Sequence, residues 1–184
     1  MESVEIRDLR LPKSTNGRSG KHCEPVLRRG FGCLARVWPS GAERAAAWLF
    51  CHPHRARRAP DEIAVLETGH RFRLDAGGCD LAAWSWGDGP TVLLHHGWSG
   101  GAAHMSGLVR PLLDAGFSVV AYDAPAHGDS PGRITAAPEM ARVLRDVAFR
   151  LNGLYGVVAH SIGAAATLLA VRAGLELQRA VLLS

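Results

Sequence analysis

Three short apolar runs, residues 91–95, 117–122 and 154–160, each followed by a helical stretch, constrain the fold more than any other feature of this chain. Runs of strand length that do not alternate belong to strands buried on both faces. A helix between successive runs makes such strands parallel. Residues 67–74 and 79–86 read as two further strands, joined as a hairpin at Ala76-Gly77-Gly78. Gly87-Asp88-Gly89-Pro90 is a turn, and residues 102–115 read as a helix closed by Gly116 and bent or shortened by Pro111. Helices over 138–151 and 162–173 and a strand over 179–183 complete the series. The pattern predicts an α/β class: a mostly parallel sheet of about six strands with helices on both faces.

The chain before this series reads differently. Residues 1–30 lack periodicity and read as a flexible leader. A helix follows over 41–51, with Ser40 as its cap and Glu43 completing a capping box. A basic linker then runs to Pro60. The expected division is residues 1–60 as basic leader plus helical extension, and residues 61–184 as the main domain.

Charge follows that division. Residues 1–60 hold 12 basic against 5 acidic side chains, and the remainder 9 against 12. The run Arg55-Ala56-Arg57-Arg58, with Arg28-Arg29, suggests an anionic partner. Yet nearly all the basic residues are arginine and alanine is abundant, a bias that a GC-rich genome produces without function. No nucleic-acid partner is expected. No apolar run reaches the roughly 18–20 residues of a membrane span, and residues 1–20 lack the apolar core of a signal peptide. The expected location is the cytoplasm.

Four cysteines are widely spaced with no C-x-x-C pair, and read as reduced thiols. Cys51-His52-Pro53-His54 lacks the second ligand pair that tetrahedral zinc needs. His95, His96 and His104 likewise supply no ligand set. Neither a metal nor a cofactor is expected.

Three segments fall at the C-terminal ends of successive parallel strands, where open α/β sheets place their sites. They are His95-His96-Gly97-Trp98-Ser99-Gly100-Gly101, Asp123-Ala124-Pro125-Ala126-His127-Gly128-Asp129-Ser130-Pro131-Gly132, and Ala159-His160-Ser161-Ile162-Gly163. In the third, a serine stands between small residues at a strand-to-helix turn, a near match to G-x-S-x-G with Ala159 in the first glycine position. The first segment is not G-x-G-x-x-G, and no G-x-x-x-x-G-K-[ST] occurs, which argues against nucleotide binding.

Together these segments resemble the α/β-hydrolase superfamily, bacterial serine esterase-like branch, over residues 66–184. The resemblance implies Ser161 as nucleophile and the backbone N–H groups of Trp98 and Ile162 as oxyanion donors. Asp123, Pro125, His127, Gly128 and Ser130 match the family's Asp-x-Pro-x-His-Gly-x-Ser loop, in which the aspartate and histidine brace the loop. Serine at the elbow implies acyl transfer from a small ester-like substrate to water, where relatives with aspartate open epoxides or displace halide. Other readings stay open: Ser161 as a helix cap, Asp123 or His127 as triad members, and His160 as a packing residue. Trp98 and Met105 are candidates for one pocket wall.

The family's triad continues Ser, then Asp or Glu, then His along the chain, after the sixth and later strands. No acid or base at those places is found in these 184 residues. The expectation is therefore an incomplete α/β-hydrolase fold, C-terminally truncated, with little esterase activity alone. Its alternatives are a catalytically dead binding protein and a half-enzyme completed by another polypeptide. The sixth strand is expected to leave an apolar edge open to self-association.

Overall fold

The computed structural model describes residues 24–184. The expected leader lies outside the described residues up to residue 23. From Glu24 the chain is helical instead: α1 spans Glu24–Val37. Gly30 and Gly32, poor helix formers, obscure this helix in the sequence. Helix α2 spans Pro39–Cys51. Ser40 thus lies inside α2 rather than capping it, and the helix starts at the proline, whose fixed φ suits a first turn. By its contacts the chain divides into Met1–Ala46 and Ala47–Ser184. Within the first unit, Trp38 packs its indole over Gly41.

Helix α3, Pro60–Glu67, occupies residues expected as the end of a linker and the start of a strand. Pro60 opens it, Asp61 and Glu62 sit in its first turn, and Glu62 accepts the Ala59 N–H at 2.8 Å. Acidic side chains at a helix N-terminus meet the positive end of the helix dipole.

The sheet has six strands: β1 His70–Ala76, β2 Cys79–Trp86, β3 Thr91–His95, β4 Ser118–Tyr122, β5 Gly156–His160 and β6 Arg179–Leu183. Their order is β1-β2-β4-β3-β5-β6. The hairpin β1–β2 is antiparallel and joins β4 antiparallel, while β4, β3, β5 and β6 are parallel. The expected mostly parallel α/β sheet is observed.

Between β3 and β4 the expected single helix is a 3-10 segment, Ala102–Leu108, followed by α4, Val109–Asp114. Pro111 has no N–H, and its ring excludes an α-helical carbonyl at residue 107, so the helix restarts at 109. Helices α5, Ala137–Arg150, and α6, Ile162–Arg172, form the other crossovers.

Both faces of the sheet are covered. On one, Leu93, Val120, Tyr122 and Val157 pack against Met140, Val143, Leu144 and Val147 of α5 and Ala166 and Ala170 of α6. On the other, Trp84, Leu94, Val119 and Ala121 meet Leu66 of α3, Met105 and Val109. Among the described residues no helix is long and apolar enough to cross a membrane.

From β3 the chain first crosses to β4 on one side and then returns to β5 on the other. That reversal opens a crevice at the C-terminal ends of β3 and β5, where α/β sheets bind ligands.

Candidate active site

The three segments singled out by sequence meet at this crevice. Ser161 sits between β5 and α6 with φ 53° and ψ −120°, a conformation that costs a non-glycine residue about 1–3 kcal/mol. Its N–H donates to the Leu183 carbonyl at 2.7 Å, which ties the turn to β6. Ser161 occupies the N-cap position of α6 but makes no side-chain cap bond. The capping alternative is thereby set aside, and the hydroxyl is exposed and uncommitted among the described residues.

Two glycines let the backbone close around this serine. A Cβ on Gly163 would lie 2.5 Å from the His96 carbonyl oxygen and 2.8 Å from that of His95. Gly163 therefore allows α6 to press on the end of β3. A Cβ on Gly97 would lie 2.8 Å from His160 Nδ1 and 3.3 Å from Ser161 Cβ. The Gly97-Trp98 peptide thus runs directly beside Ser161. His160 itself is exposed, with its ring against Gly97, rather than buried as a packing residue.

The N–H groups of Trp98 and Ile162 donate to no protein acceptor among the described residues. Ile162 is the first residue of α6, whose opening N–H groups have no intrahelical partner. Two uncommitted amides thus belong to the backbone at this turn, that of Ile162 directly after the serine and that of Trp98 directly after Gly97.

His96 anchors this arrangement from below. It is fully buried, and its Nε2 accepts the Ala124 N–H at 2.9 Å. A backbone N–H only donates, so the imidazole proton sits on Nδ1, which donates to the Gly97 carbonyl at 2.7 Å. Burial, and then the adjacent His127 ring, hold His96 well below the usual imidazole value. His95, beneath the turn against Thr167 of α6, is pushed down to about 3 by burial, with His127 adding to it. Both rings are neutral at pH 7.

Asp123 braces the loop after β4. Its buried carboxylate accepts the Ala102 N–H at 2.7 Å, the Asp129 N–H at 2.7 Å and Arg58 Nη2 at 2.9 Å. Ser130 donates its hydroxyl to the Asp123 carbonyl and accepts the Ala82 N–H. His127 is buried, with Nδ1 at 2.9 Å from the Pro125 carbonyl, and burial lowers its pKa. Neither Asp123 nor His127 makes a hydrogen bond to Ser161.

Trp98 stacks on Phe50 with centroids 5.5 Å apart and meets His127 edge-on at 5.4 Å. Met105 does not join it as a pocket wall. It is buried beneath the sheet with Leu94 and Val119.

Sequence reasoning missed the contacts of residues 50–58. Arg55 donates to the carbonyls of Gly128 at 2.6 Å and Ser130 at 2.9 Å. Arg58 spans Asp123 and Asp129 and lies over Trp84, 5.4 Å from its centroid. Two arginines of the basic run are thus committed to contacts within the chain. No local signal marks them, because their partners lie more than 60 residues away.

Comparisons with known proteins agree with the fold. A sequence profile described as the alpha/beta hydrolase family matches residues 92–184, half of the chain. A protein described as the carbamate hydrolase RutD, from Variovorax paradoxus (strain S110), is 37% identical over 76 residues, covering 41% of this chain and 29% of its own. Epoxide hydrolase VrEH1 from Vigna radiata superposes with a TM-score of 0.58 at 19% identity, covering 64% of this chain and 40% of its own. Epoxide hydrolase A from Mycobacterium thermoresistibile does so with a TM-score of 0.51 at 21% identity, covering 55% and 34%. The chain therefore spans well under half the length of these relatives. With a family profile matched across the strand ends that build the crevice, this chain belongs to the alpha/beta hydrolase family.

Proposed function

We propose that this chain carries the nucleophile and oxyanion-binding half of a serine hydrolase acting on ester or related acyl bonds. The observation behind this reading is the strained backbone of Ser161 with its uncapped hydroxyl, beside a Gly97-Trp98 peptide whose N–H, like that of Ile162, donates to no acceptor among the described residues. Such a backbone persists only where the surroundings hold it, and that is common at reactive residues.

Ser161 Oγ attacks the substrate carbonyl carbon, and the carbonyl oxygen becomes the oxyanion. The Trp98 and Ile162 N–H groups receive it, each worth about 2.7–4 kcal/mol in comparable sites. The N-terminus of α6 adds its positive end. The name of the RutD relative, a carbamate hydrolase, supports a carbonyl substrate. The epoxide hydrolase neighbours share the fold at about 20% identity. A neutral serine with two backbone donors suits carbonyl addition better than ring opening, because carbonyl addition builds the anion beside the donors.

The serine proton needs a base. Among the described residues no imidazole hydrogen-bonds to Ser161 Oγ, and His95, His96 and His127 are buried. On this reading the described residues supply no base to Ser161, and slow turnover by the 184-residue chain is the expected outcome. The same lack of a base favours a second reading, a binding protein that keeps the fold without the reaction.

Labelling by a fluorophosphonate probe separates the two. Covalent labelling of the 184-residue chain that disappears in Ser161→Ala supports the nucleophile. Absence of labelling even at alkaline pH, where hydroxide takes the place of the missing base, favours the binding protein. Rapid p-nitrophenyl acetate hydrolysis lost in Ser161→Ala would show a base already present and sink the half-site reading.

A further inference from the structure

Residues 50–58 form a strap against the loops after β3 and β4, and several of their contacts converge on one turn. The Phe50 ring lies on the Trp98 indole, 13° from parallel. His54 Nδ1 is 2.9 Å from Ser99 Oγ, and the Ala56 N–H donates to the Ser99 carbonyl at 3.1 Å. Ser99 is itself left-handed, with φ 59°. Within its own turn the backbone bond is Gly100 N–H to the Gly97 carbonyl at 3.1 Å. Serine gains nothing from a left-handed backbone, so external contacts must hold it there.

Arg55 extends the grip. Through Gly128 and Ser130 it ties the strap to the loop that carries His127, and His127 is the other ring against Trp98. Trp98 is therefore held on one side by the strap and on the other by the loop that the strap fastens.

We propose that residues 50–58 are a positioning element for the Trp98 amide, holding the Ser99 turn so that this N–H stays aimed beside Ser161. This rests on the reading of Trp98 as an oxyanion donor. No atom of the strap hydrogen-bonds to Ser161 or Ile162, so its effect passes through Trp98.

The test uses the full 184-residue chain with Arg55→Ala and Arg55→Lys. Amide hydrogen exchange at Ala56 and Gly100, the two N–H groups bonded to carbonyls of the Ser99 turn, is read alongside labelling by a fluorophosphonate, resolved into KI and kinact. Arg55→Ala is expected to speed exchange at those two amides while β3 and β5 stay protected. It lowers kinact about tenfold or more with KI unchanged, since small misplacements at a site cost rate steeply. Arg55→Lys restores part of both. Unchanged exchange at Ala56 and Gly100 in folded Arg55→Ala overturns the proposal. If Arg55→Ala does not fold, His54→Ala is held to the same two readouts. A parent chain that never labels defeats the nucleophile reading, and exchange alone then decides the strap.

Discussion

His96 donates its Nδ1 proton to the carbonyl of Gly97 at 2.7 Å, and that carbonyl shares a peptide plane with the Trp98 N–H. Carbonyl and N–H point in opposite directions across a planar peptide. Fixing the oxygen toward His96 therefore aims the N–H away from it, and Gly100 N–H reinforces the same carbonyl. His96→Ala removes this bond and leaves the Ala124 N–H without its acceptor. A loss of about 2–4 kcal/mol in urea denaturation is expected, with slower labelling of Ser161. Unchanged labelling in a folded variant would show that the peptide needs no such anchor.

Asp123 has no exposed side-chain surface, and Arg58 is 23% exposed. Removing one partner of such a pair leaves the other uncompensated. Asp123→Ala also strips acceptors from Ala102 and Asp129. The expected loss is about 3–5 kcal/mol. A change below about 1 kcal/mol, the value of an ordinary surface pair, would contradict this bracing role.

Acid should weaken the fold before the carboxylates titrate. His95 takes up its proton at about 3 when folded and at the ordinary 6.5 when unfolded. Between those values the unfolded chain binds more protons, so stability falls as pH falls. It is insensitive to this group above about 6.5. The slope is about 1.4 kcal/mol per pH unit for His95, and His96 and His127, both lowered by burial, steepen it. Denaturation between pH 7.5 and 5 measures it, and His95→Gln should flatten the profile.

Four of the five residues of β6 are exposed, including Val181 at 46% and Leu182 at 39%. Among the described residues β6 pairs only with β5. We propose that this edge self-associates, since an open apolar strand offers unpaired backbone groups to another chain. Light scattering should show mass rising with concentration, and Val181→Lys should suppress the rise. A monodisperse monomer at all concentrations would remove the proposal.

Much of the sheet was legible because buried strands announce themselves as apolar runs: β2, β3 and β6 match their expected bounds residue for residue. The chemistry-bearing segments were legible because the sheet places strand ends together. Helix α3 had a signal, Pro60 followed by Asp61 and Glu62, hidden beside the arginine run. The strap had none. His54 meets Ser99 across 45 residues and Arg55 meets Gly128 across 73, and no local periodicity encodes contacts that long. Left-handed Ser99 was equally invisible, because tertiary contacts rather than serine's own preference hold it there.

Arg55 and Arg58 lie before the first strand yet fasten the loop after the fourth. Any shorter polypeptide begun at β1 would keep every strand and the Ser161 turn but lose both fasteners. Such a fragment would pass as folded by its helix and sheet content while its crevice loops were slack. Where this chain is cut for expression therefore bears on the site as strongly as substitutions within it.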